Sequence, residues 1–316
     1  MKHVHLIDTS IASDNLGDEI IVEECRSHLL PLFPDAYIST SSGHDGLGPW
    51  GRDLAGQADV VFLLGTNALS ARDQTKRRFV WTVTKDDIPV LKNKVVLFGV
   101  GANRDFDKVD RTQAKLLSTL LSSSHGHAVR DSLGGQIIRT AGRKAINTTC
   151  PTLWRYIDKS PPVPSEPAPS VCFTLTKHKA NSNDAAMIEI LRNSYENLAF
   201  WPQQPRDLPY LQELTRTSDI EILPPSLQAY DAHLAKTDTD VTGTRLHGCI
   251  RGLKHNRRVL VVSIDNRARE IGSETGLPTI AREDIPANLA ERIKGPIPLS
   301  MTLPRAAKED FLGQFR

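Results

Sequence analysis

The sequence predicts an α/β protein made of two Rossmann-like domains, and three features of the chain support this. Short apolar segments of strand length alternate with helix-patterned segments through the first half. A stretch with five prolines in ten residues, 160–169, interrupts the alternation, which then begins again. Interleaved strands and helices are typical of parallel sheets covered on both faces. We therefore expect domains at 1–158 and 170–316, joined by a stiff linker at 159–169.

In the first half, apolar runs bounded by turn residues predict strands, and apolar residues at helical spacing predict helices. The strands are expected at 3–8, 36–40, 59–64, 94–100, 126–130 and 144–148, with helices at 18–30, 111–122 and 131–140. The second half predicts strands at 170–175, 198–201, 240–242 and 259–264, with helices at 183–193, 226–235 and 244–253. Active sites of such folds lie at the carboxyl ends of the strands.

Composition narrows the functional class. The 39 basic residues are nearly balanced by 37 acidic ones, which argues against a general nucleic-acid binder. The apolar runs have strand length, so no membrane span is expected, although peripheral membrane association stays open. The start of the chain does not resemble a secretory signal. The four cysteines are widely separated and favour buried free thiols over disulfides or a zinc site, which predicts a cytoplasmic location.

The strongest local signal is Asp240-Val-Thr-Gly-Thr-Arg-Leu-His-Gly-Cys. A strand ends at Thr242, Gly243 permits a tight turn, and Thr244 is a suitable helix N-cap. Arg245 and His247 then fall in the first helical turn, where free backbone N–H groups favour an anion. A cation there opposes the helix dipole, so a negative ligand is one explanation. The alternative is that Arg245 pairs with a structural carboxylate and His247 packs as a partly exposed residue.

A second signal is Asp14-Asn-Leu-Gly-Asp18, which follows the first strand. Asp14 or Asn15 can cap the next helix, and Asp18 lies in its first turn, where the dipole favours an acid. A well-capped helix with no further role explains the same pattern.

Cations also stand at other strand ends. Arg130 lies where a strand meets a helix, and Lys177 follows the first strand of the second domain. Either could face a ligand or be a solvated surface charge. The glycine-containing loop 98–103 lacks the third glycine and the acidic partner of a dinucleotide-binding motif. No clustered carboxylates or metal-spaced histidines are present, so we expect no metal and no cofactor.

Taken in order, these motifs resemble the polysaccharide pyruvyl transferase family. The resemblance extends from about residue 5 to about residue 280, nearly the whole chain. It is carried by Asn15-Leu-Gly-Asp18, Gly65-Thr-Asn67, Gly99-Val-Gly101, Val129-Arg-Asp-Ser132 and Gly243-Thr-Arg-Leu-His-Gly248, followed by a strand and Asp265-Asn-Arg267.

The resemblance implies a glycosyltransferase-B-like pair of Rossmann-like domains facing across a cleft. It also implies transfer of the pyruvyl group of phosphoenolpyruvate onto two sugar hydroxyls, giving a cyclic ketal in surface polysaccharide biosynthesis. The partners would be phosphoenolpyruvate and a saccharide acceptor, which a lipid-linked sugar would satisfy. We assign Arg130, Arg245, Leu246 and Lys177 to donor binding, His247 and Asp18 to acid and base catalysis, and Asn15 and Asn67 to acceptor binding.

Two other functions remain open. A glycosyltransferase of the same architecture would use a nucleotide sugar and would bind a nucleotide in preference to phosphoenolpyruvate. A non-catalytic carbohydrate- or anion-binding protein would bind ligands without turnover.

Overall fold

A computed structural model describes residues 1–76 and 79–316, apart from the side chains of residues 266 and 267. The side chains of Asn266 and Arg267, which belong to the last motif above, therefore lie outside the described residues. The chain forms two compact units. Unit 1 consists of Met1–Ser13, Ile21–Trp154 and Pro304–Arg316, and unit 2 consists of Asp14–Ile20 and Arg155–Leu303.

Unit 1 contains a parallel sheet with the strand order β2-β1-β3-β4. A parallel bridge between Val100 and Val129 connects the end of β4 to the β5–β6 pair. The strands are β1 His3–Asp8, β2 Tyr37–Ser42, β3 Val60–Leu64, β4 Val95–Phe98, β5 His127–Val129 and β6 Ala145–Asn147. The helices are α1 Leu16–Leu29, whose first turn is grouped with unit 2, α2 Gly48–Gln57, α3 Asp87–Leu91, α4 Arg111–Leu120 and α5 Ser132–Thr140.

Unit 2 contains a six-stranded parallel sheet with the order β12-β11-β10-β7-β8-β9. Numbered within the unit, this is the order 3-2-1-4-5-6 of Rossmann folds. The strands are β7 Ser170–Thr174, β8 Asn197–Phe200, β9 Ile220–Ile222, β10 Thr239–Gly243, β11 Val259–Ser263 and β12 Thr279–Ala281. The helices are α6 Asn183–Arg192, α7 Asp207–Leu214, α8 Leu227–Lys236, α9 Leu246–Lys254, α10 Asn266–Thr275 and α11 Ile285–Lys294. The predicted α/β class with parallel sheets is confirmed.

The last helix, α12 Arg305–Gly313, is grouped with unit 1, whereas the sequence suggested a second domain that continues to residue 316. Aromatic packing accounts for the difference. Phe311 is fully buried, with its ring 5.3 Å from that of Phe98 and 6.4 Å from that of Trp154. Phe315 adds an edge-on contact with Phe62 at 5.1 Å. These rings bury far more apolar surface than a solvated terminal helix would.

Two further features agree with the sequence. The proline-rich segment 160–169 forms no helix, and a strand starts only at its end. All four cysteines are buried, and none forms a disulfide. Among the described residues, no helix combines the length and apolarity that crossing a membrane requires.

Candidate active site

The strand order of unit 2 reverses between β7 and β10, and ligands of open α/β sheets bind at such a point. At the carboxyl ends of these strands, Gly243 is paired with Thr174. Gly243 has φ +132°, and a Cβ added to it would lie 2.3 Å from the carbonyl oxygen of Thr174. Only glycine tolerates both conditions. This close approach sets the direction in which the chain enters α9.

Helix α9 begins one residue later than a Thr244 cap would place it. Arg245 occupies the N-cap position, with φ −96° and ψ 94°, and His247 lies in the first turn as predicted. The prediction of Thr244 as N-cap is wrong because its hydroxyl bonds the hydroxyl of Thr176 at 2.8 Å. Among the described residues, no acceptor meets the backbone N–H groups of Leu246 and Gly248. The start of α9 therefore keeps free donors.

The guanidinium group of Arg245 is buried against Asp207, at the start of α7. Its Nη2 donates to both carboxylate oxygens, at 2.6 and 2.7 Å, and its Nε donates to Oδ2 at 3.1 Å. Further donations go to the carbonyl of Leu175 at 2.9 Å and to Oε1 of Gln204 at 2.6 Å. Asp207 has no exposed surface, and Arg245 is 6% exposed. The charge that compensates Arg245 is thus a protein carboxylate, as in the alternative interpretation of the sequence.

This arrangement uses two of the three guanidinium nitrogens of Arg245. Nε and Nη2 are fully engaged, whereas no acceptor among the described residues lies within hydrogen-bonding distance of Nη1. Asp207 also accepts the backbone N–H groups of Gln204 at 3.0 Å and Lys177 at 3.3 Å, so it is held on several sides. A carboxylate held on several sides therefore orients a guanidinium group whose Nη1 has no hydrogen-bond acceptor among the described residues.

Gln203 joins the two motifs that the sequence singled out. Its carbonyl accepts the N–H of Leu16 at 3.0 Å, and its Nε2 donates to Oδ1 of Asn15 at 2.8 Å. Its Oε1 lies 2.9 Å from the position that a Cβ on Gly248 would occupy. The start of α1 and the first turn of α9 consequently share one buried amide, which brings the early motif to the carboxyl edge of the unit 2 sheet.

The two predicted proton-transfer residues are both buried. Asp18 lies in the first turn of α1, and its Oδ1 accepts from Nδ2 of Asn15 at 3.3 Å. Asn15 also accepts the N–H of Gly17 at 3.1 Å, so it acts as the predicted cap. His247 is buried in α9, not partly exposed as the alternative interpretation required.

Lys177 follows β7 as predicted, but its ammonium group pairs with Glu213 of α7. The same nitrogen lies 4.7 Å from the centre of the Tyr210 ring. In this conformation its charge is directed towards α7. Leu246, the remaining residue predicted to bind the donor, is half-buried at the first position of α9.

In unit 1, Arg130 and Asn67 contact each other directly, because Nη2 of Arg130 donates to Oδ1 of Asn67. The other contact of the guanidinium group is a thiol, Sγ of Cys150 at 4.0 Å from Nη1. Arg130 is 2% exposed, yet none of the ion pairs between described residues includes it. Gly101 makes room for it, since a Cβ there would lie 2.7 Å from Nε of Arg130. The same Cβ would lie 2.2 Å from Oδ2 of Asp131, so this carboxylate is near the guanidinium group although no ion pair joins the two.

The described residues contain no group of three or more His, Cys, Asp or Glu side chains that could hold a metal ion. The functional side chains that the sequence did not reveal are Gln203, Gln204 and Asp207. A signal for them existed, because they follow the predicted strand 198–201 and so belong to the same edge of the sheet as Arg245. Polar residues in that loop could have been proposed as its neighbours.

Comparisons with known proteins add two kinds of information. Three solved structures have similar backbones: the Methanocaldococcus jannaschii UDP-GlcNAc 2-epimerase (13% identity, TM-score 0.49, covering 96% of this chain and 95% of that one), S. aureus MnaA (11%, 0.48, 98% and 91%) and the E. coli heptosyltransferase WaaC (12%, 0.40, 82% and 88%). No curated protein sequence matches the chain. The family profile described as polysaccharide pyruvyl transferase matches residues 15–266, which include both motifs joined by Gln203. The chain belongs to the polysaccharide pyruvyl transferase family.

Proposed function

We propose that this transferase moves the pyruvyl group of phosphoenolpyruvate onto two hydroxyls of a saccharide. One hydroxyl oxygen bonds to C2 of the donor while C3 takes a proton and becomes a methyl group. The second hydroxyl oxygen then replaces the phosphate at C2, and the C–O bond breaks with its electron pair leaving on phosphate. Of the two hydroxyl protons, one is balanced by the proton on C3 and the other by the proton on phosphate.

The observation that supports an anionic donor is that the buried guanidinium group of Arg130 forms no ion pair with a described residue. A buried cation that is not directly paired is costly, because its lost hydration is not repaid by neutral hydrogen-bond acceptors. The hydrogen bonds of Arg130 go to the amide oxygen of Asn67 and the sulfur of Cys150. A carboxylate or phosphate would supply the missing charge and could accept two parallel hydrogen bonds from the guanidinium group. In this proposal Asn67 positions Arg130 instead of contacting the acceptor.

Arg245 contributes in a different way. Asp207 balances the charge of Arg245. Arg245 would therefore bind an anion through its directed N–H donors and not through a net positive charge. The open Nη1 edge and the free N–H groups of Leu246 and Gly248 belong to the start of α9, where the helix dipole also favours negative charge. We assign Arg245 to holding one end of the donor.

For the proton steps we assign His247 as the acid that protonates C3 and Asp18 as the base that takes a hydroxyl proton. Histidine holds a proton near neutral pH, and a carboxylate can accept one from a hydroxyl in the transition state. Asn15 bonds Asp18 and is therefore the residue that would set the orientation of this carboxylate next to an acceptor hydroxyl.

The proposed setting follows from the same reasoning. Four buried cysteines outside any disulfide agree with a reducing compartment, so we place the reaction in the cytoplasm. A growing or lipid-linked saccharide presented there would serve as acceptor. Peripheral association with a membrane would then suffice to reach it.

The donor is tested by thermal unfolding with phosphoenolpyruvate and, separately, with UDP-hexoses in the same buffer. Phosphoenolpyruvate at ~100 times its dissociation constant should stabilise the folded protein by roughly 2.7 kcal/mol. Arg130→Gln and Arg245→Lys should each weaken this effect, since neither presents the original guanidinium edge. Stabilisation by a UDP-hexose and none by phosphoenolpyruvate would refute the proposal and favour a nucleotide-sugar enzyme.

The role of His247 is tested by His247→Asn. If the imidazole transfers a proton, kcat should fall about 10²–10⁴-fold while stabilisation by phosphoenolpyruvate is retained. His233→Asn is the matched control, because His233 lies in α8 of the same unit and has no assigned role. Unchanged kcat in His247→Asn would remove the acid from the mechanism.

A further inference from the structure

A cavity of about 560 Å³ lies at the carboxyl edge of the unit 1 sheet. Its lining comes from the loops after three strands: His44 follows β2, Ser70 and Arg72 follow β3, and Asn103 and Arg104 follow β4. These loops surround the ends of β1 and β3, where the strand order reverses. Open α/β sheets bind ligands at such a point. None of the roles assigned above uses this cavity.

The backbone beneath the cavity is held by one hydrogen bond between neighbouring loops and one within a loop. The N–H of Asn103 donates to the carbonyl of Leu69 at 2.8 Å, and the N–H of Arg72 donates to Oγ of the buried Ser70 at 3.0 Å. These bonds hold Arg72 and Arg104 on adjoining loops. Their side chains therefore flank the same space from a backbone that does not need to be ordered when a ligand binds.

The charge around this cavity is positive. The described residues that line it include no carboxylate, and neither Arg72 nor Arg104 forms an ion pair with another described residue. A neighbouring cavity of about 620 Å³ shares both arginines but is also lined by Lys108 and by Asp105, Asp107 and Asp110, so its cations and carboxylates balance. An anion is therefore favoured more in the first cavity than in the second.

We propose that the first cavity binds an oxyanion carried by the saccharide acceptor, held by Arg72 and Arg104. Guanidinium groups bind phosphate and carboxylate bidentately, so a sugar phosphate or a uronic acid would both satisfy the pair. Asn103 offers an amide for a sugar hydroxyl, and the half-buried ring of Phe79 offers an apolar wall. The inference rests on the proposed function, because that function supplies the saccharide acceptor.

Calorimetric titration of inorganic diphosphate tests the oxyanion site independently of any sugar. The wild-type chain is compared with Arg72→Gln, Arg104→Gln and the control Arg139→Gln, an exposed arginine on α5 that does not line the cavity. We expect Arg72→Gln and Arg104→Gln each to weaken binding about ten- to hundredfold, the usual range for a lost charge-assisted hydrogen bond, and the control to bind like wild type. Equal binding by all four proteins, or no binding by wild type, would overturn the proposal.

Titration of a hexose 1-phosphate, a hexuronic acid and the matching methyl hexoside then identifies the source of the oxyanion. Tighter binding of either charged sugar, lost in Arg72→Gln, supports the site and names its ligand class. Binding of the methyl hexoside as tight as that of both charged sugars would overturn it. Phosphoenolpyruvate is titrated into the same variants. If it stabilises wild type and Arg72→Gln equally while the diphosphate result is negative, this inference fails and the proposed function stands.

Discussion

Asp207 provides the sharpest test of how the site is built, through the substitution Asp207→Asn. The carboxylate accepts from two nitrogens of Arg245 and from the backbone N–H groups of Gln204 and Lys177, with no exposed surface. An asparagine of the same shape keeps one acceptor oxygen but turns an NH₂ group towards these donors and removes the charge that balances Arg245.

The magnitude follows from burial. Removing one partner of a buried ion pair leaves the other charge uncompensated and costs about 3–5 kcal/mol. For a unit of this size, roughly 2–4 °C is lost per kcal/mol, so the Tm of unit 2 should fall by about 6–20 °C. Binding of phosphoenolpyruvate should weaken at least tenfold, about 1.4 kcal/mol, since Arg245 loses the group that orients its Nη1 edge.

Asp240→Asn is the matched control. Asp240 forms another deeply buried arginine pair of unit 2, with Nε of Arg258 at 2.9 Å from its carboxylate. Asp240 lies near the start of β10, away from the carboxyl edge of the sheet. Its substitution should therefore reduce stability without changing the affinity for ligand. Urea unfolding and titration of phosphoenolpyruvate are measured on both variants. Wild-type stability in Asp207→Asn, or equal ligand affinity in the two variants, would refute the reasoning.

Two further predictions concern stability. Gly243→Ala should lower the free energy of unfolding by several kcal/mol, because the added Cβ would collide with Thr174 and alanine disfavours this φ. Gly313→Ala is the control, since a Cβ at Gly313 would meet no atom within 4 Å. Equal stability of the two variants would contradict the strain argument. Burial lowers the pKa of His127 from 6.5 to about 4, so the unfolded chain binds a proton first as pH falls. The stability held above pH 6.5 is thus lost towards pH 4, by about 2 kcal/mol between pH 7 and 5. Urea unfolding of His127→Gln should show a pH-dependent loss smaller by that amount, and an unchanged loss would contradict the prediction.

The fold could be predicted largely because local patterns and tertiary structure agree. Ten strands were expected within two residues of their observed bounds. The two missed strands, β9 and β12, are edge strands of three residues each, too short for a periodic signal. Helix α7 is not visible in the sequence because it is only eight residues long and contains Pro209 in its first turn. Its first residue, Asp207, is a polar residue of the candidate site.

Site residues were predictable where a backbone constraint marks the sequence and unpredictable where only a tertiary contact defines them. Gly243 and the Arg-Leu-His turn are visible because a glycine, a strand and a helix start occur together. The pairing of Arg245 with Asp207 joins residues 38 positions apart. No spacing rule predicts such a contact, since it depends on the order of strands in the sheet. The same holds for the bond between the hydroxyls of Thr244 and Thr176, two residues 68 positions apart, which leaves Arg245 and not Thr244 at the N-cap of α9.

Arg130 and Arg245 should respond differently to substitution by methionine. Arg130 forms no ion pair with a described residue, so Arg130→Met removes a buried charge that is not directly paired and should leave the Tm of the ligand-free protein unchanged or higher. Arg245→Met leaves Asp207 buried without its partner and should lower the free energy of unfolding by about 3–5 kcal/mol.

Stabilisation by phosphoenolpyruvate should be lost in both variants. A residue that costs stability in the free protein and is needed for ligand is expected at a functional site, where the ligand supplies the missing charge. Thermal unfolding of the two variants with and without phosphoenolpyruvate makes the comparison. If Arg130→Met destabilises the ligand-free protein as much as Arg245→Met does, Arg130 is compensated within the fold, and the argument for an anion at that position fails.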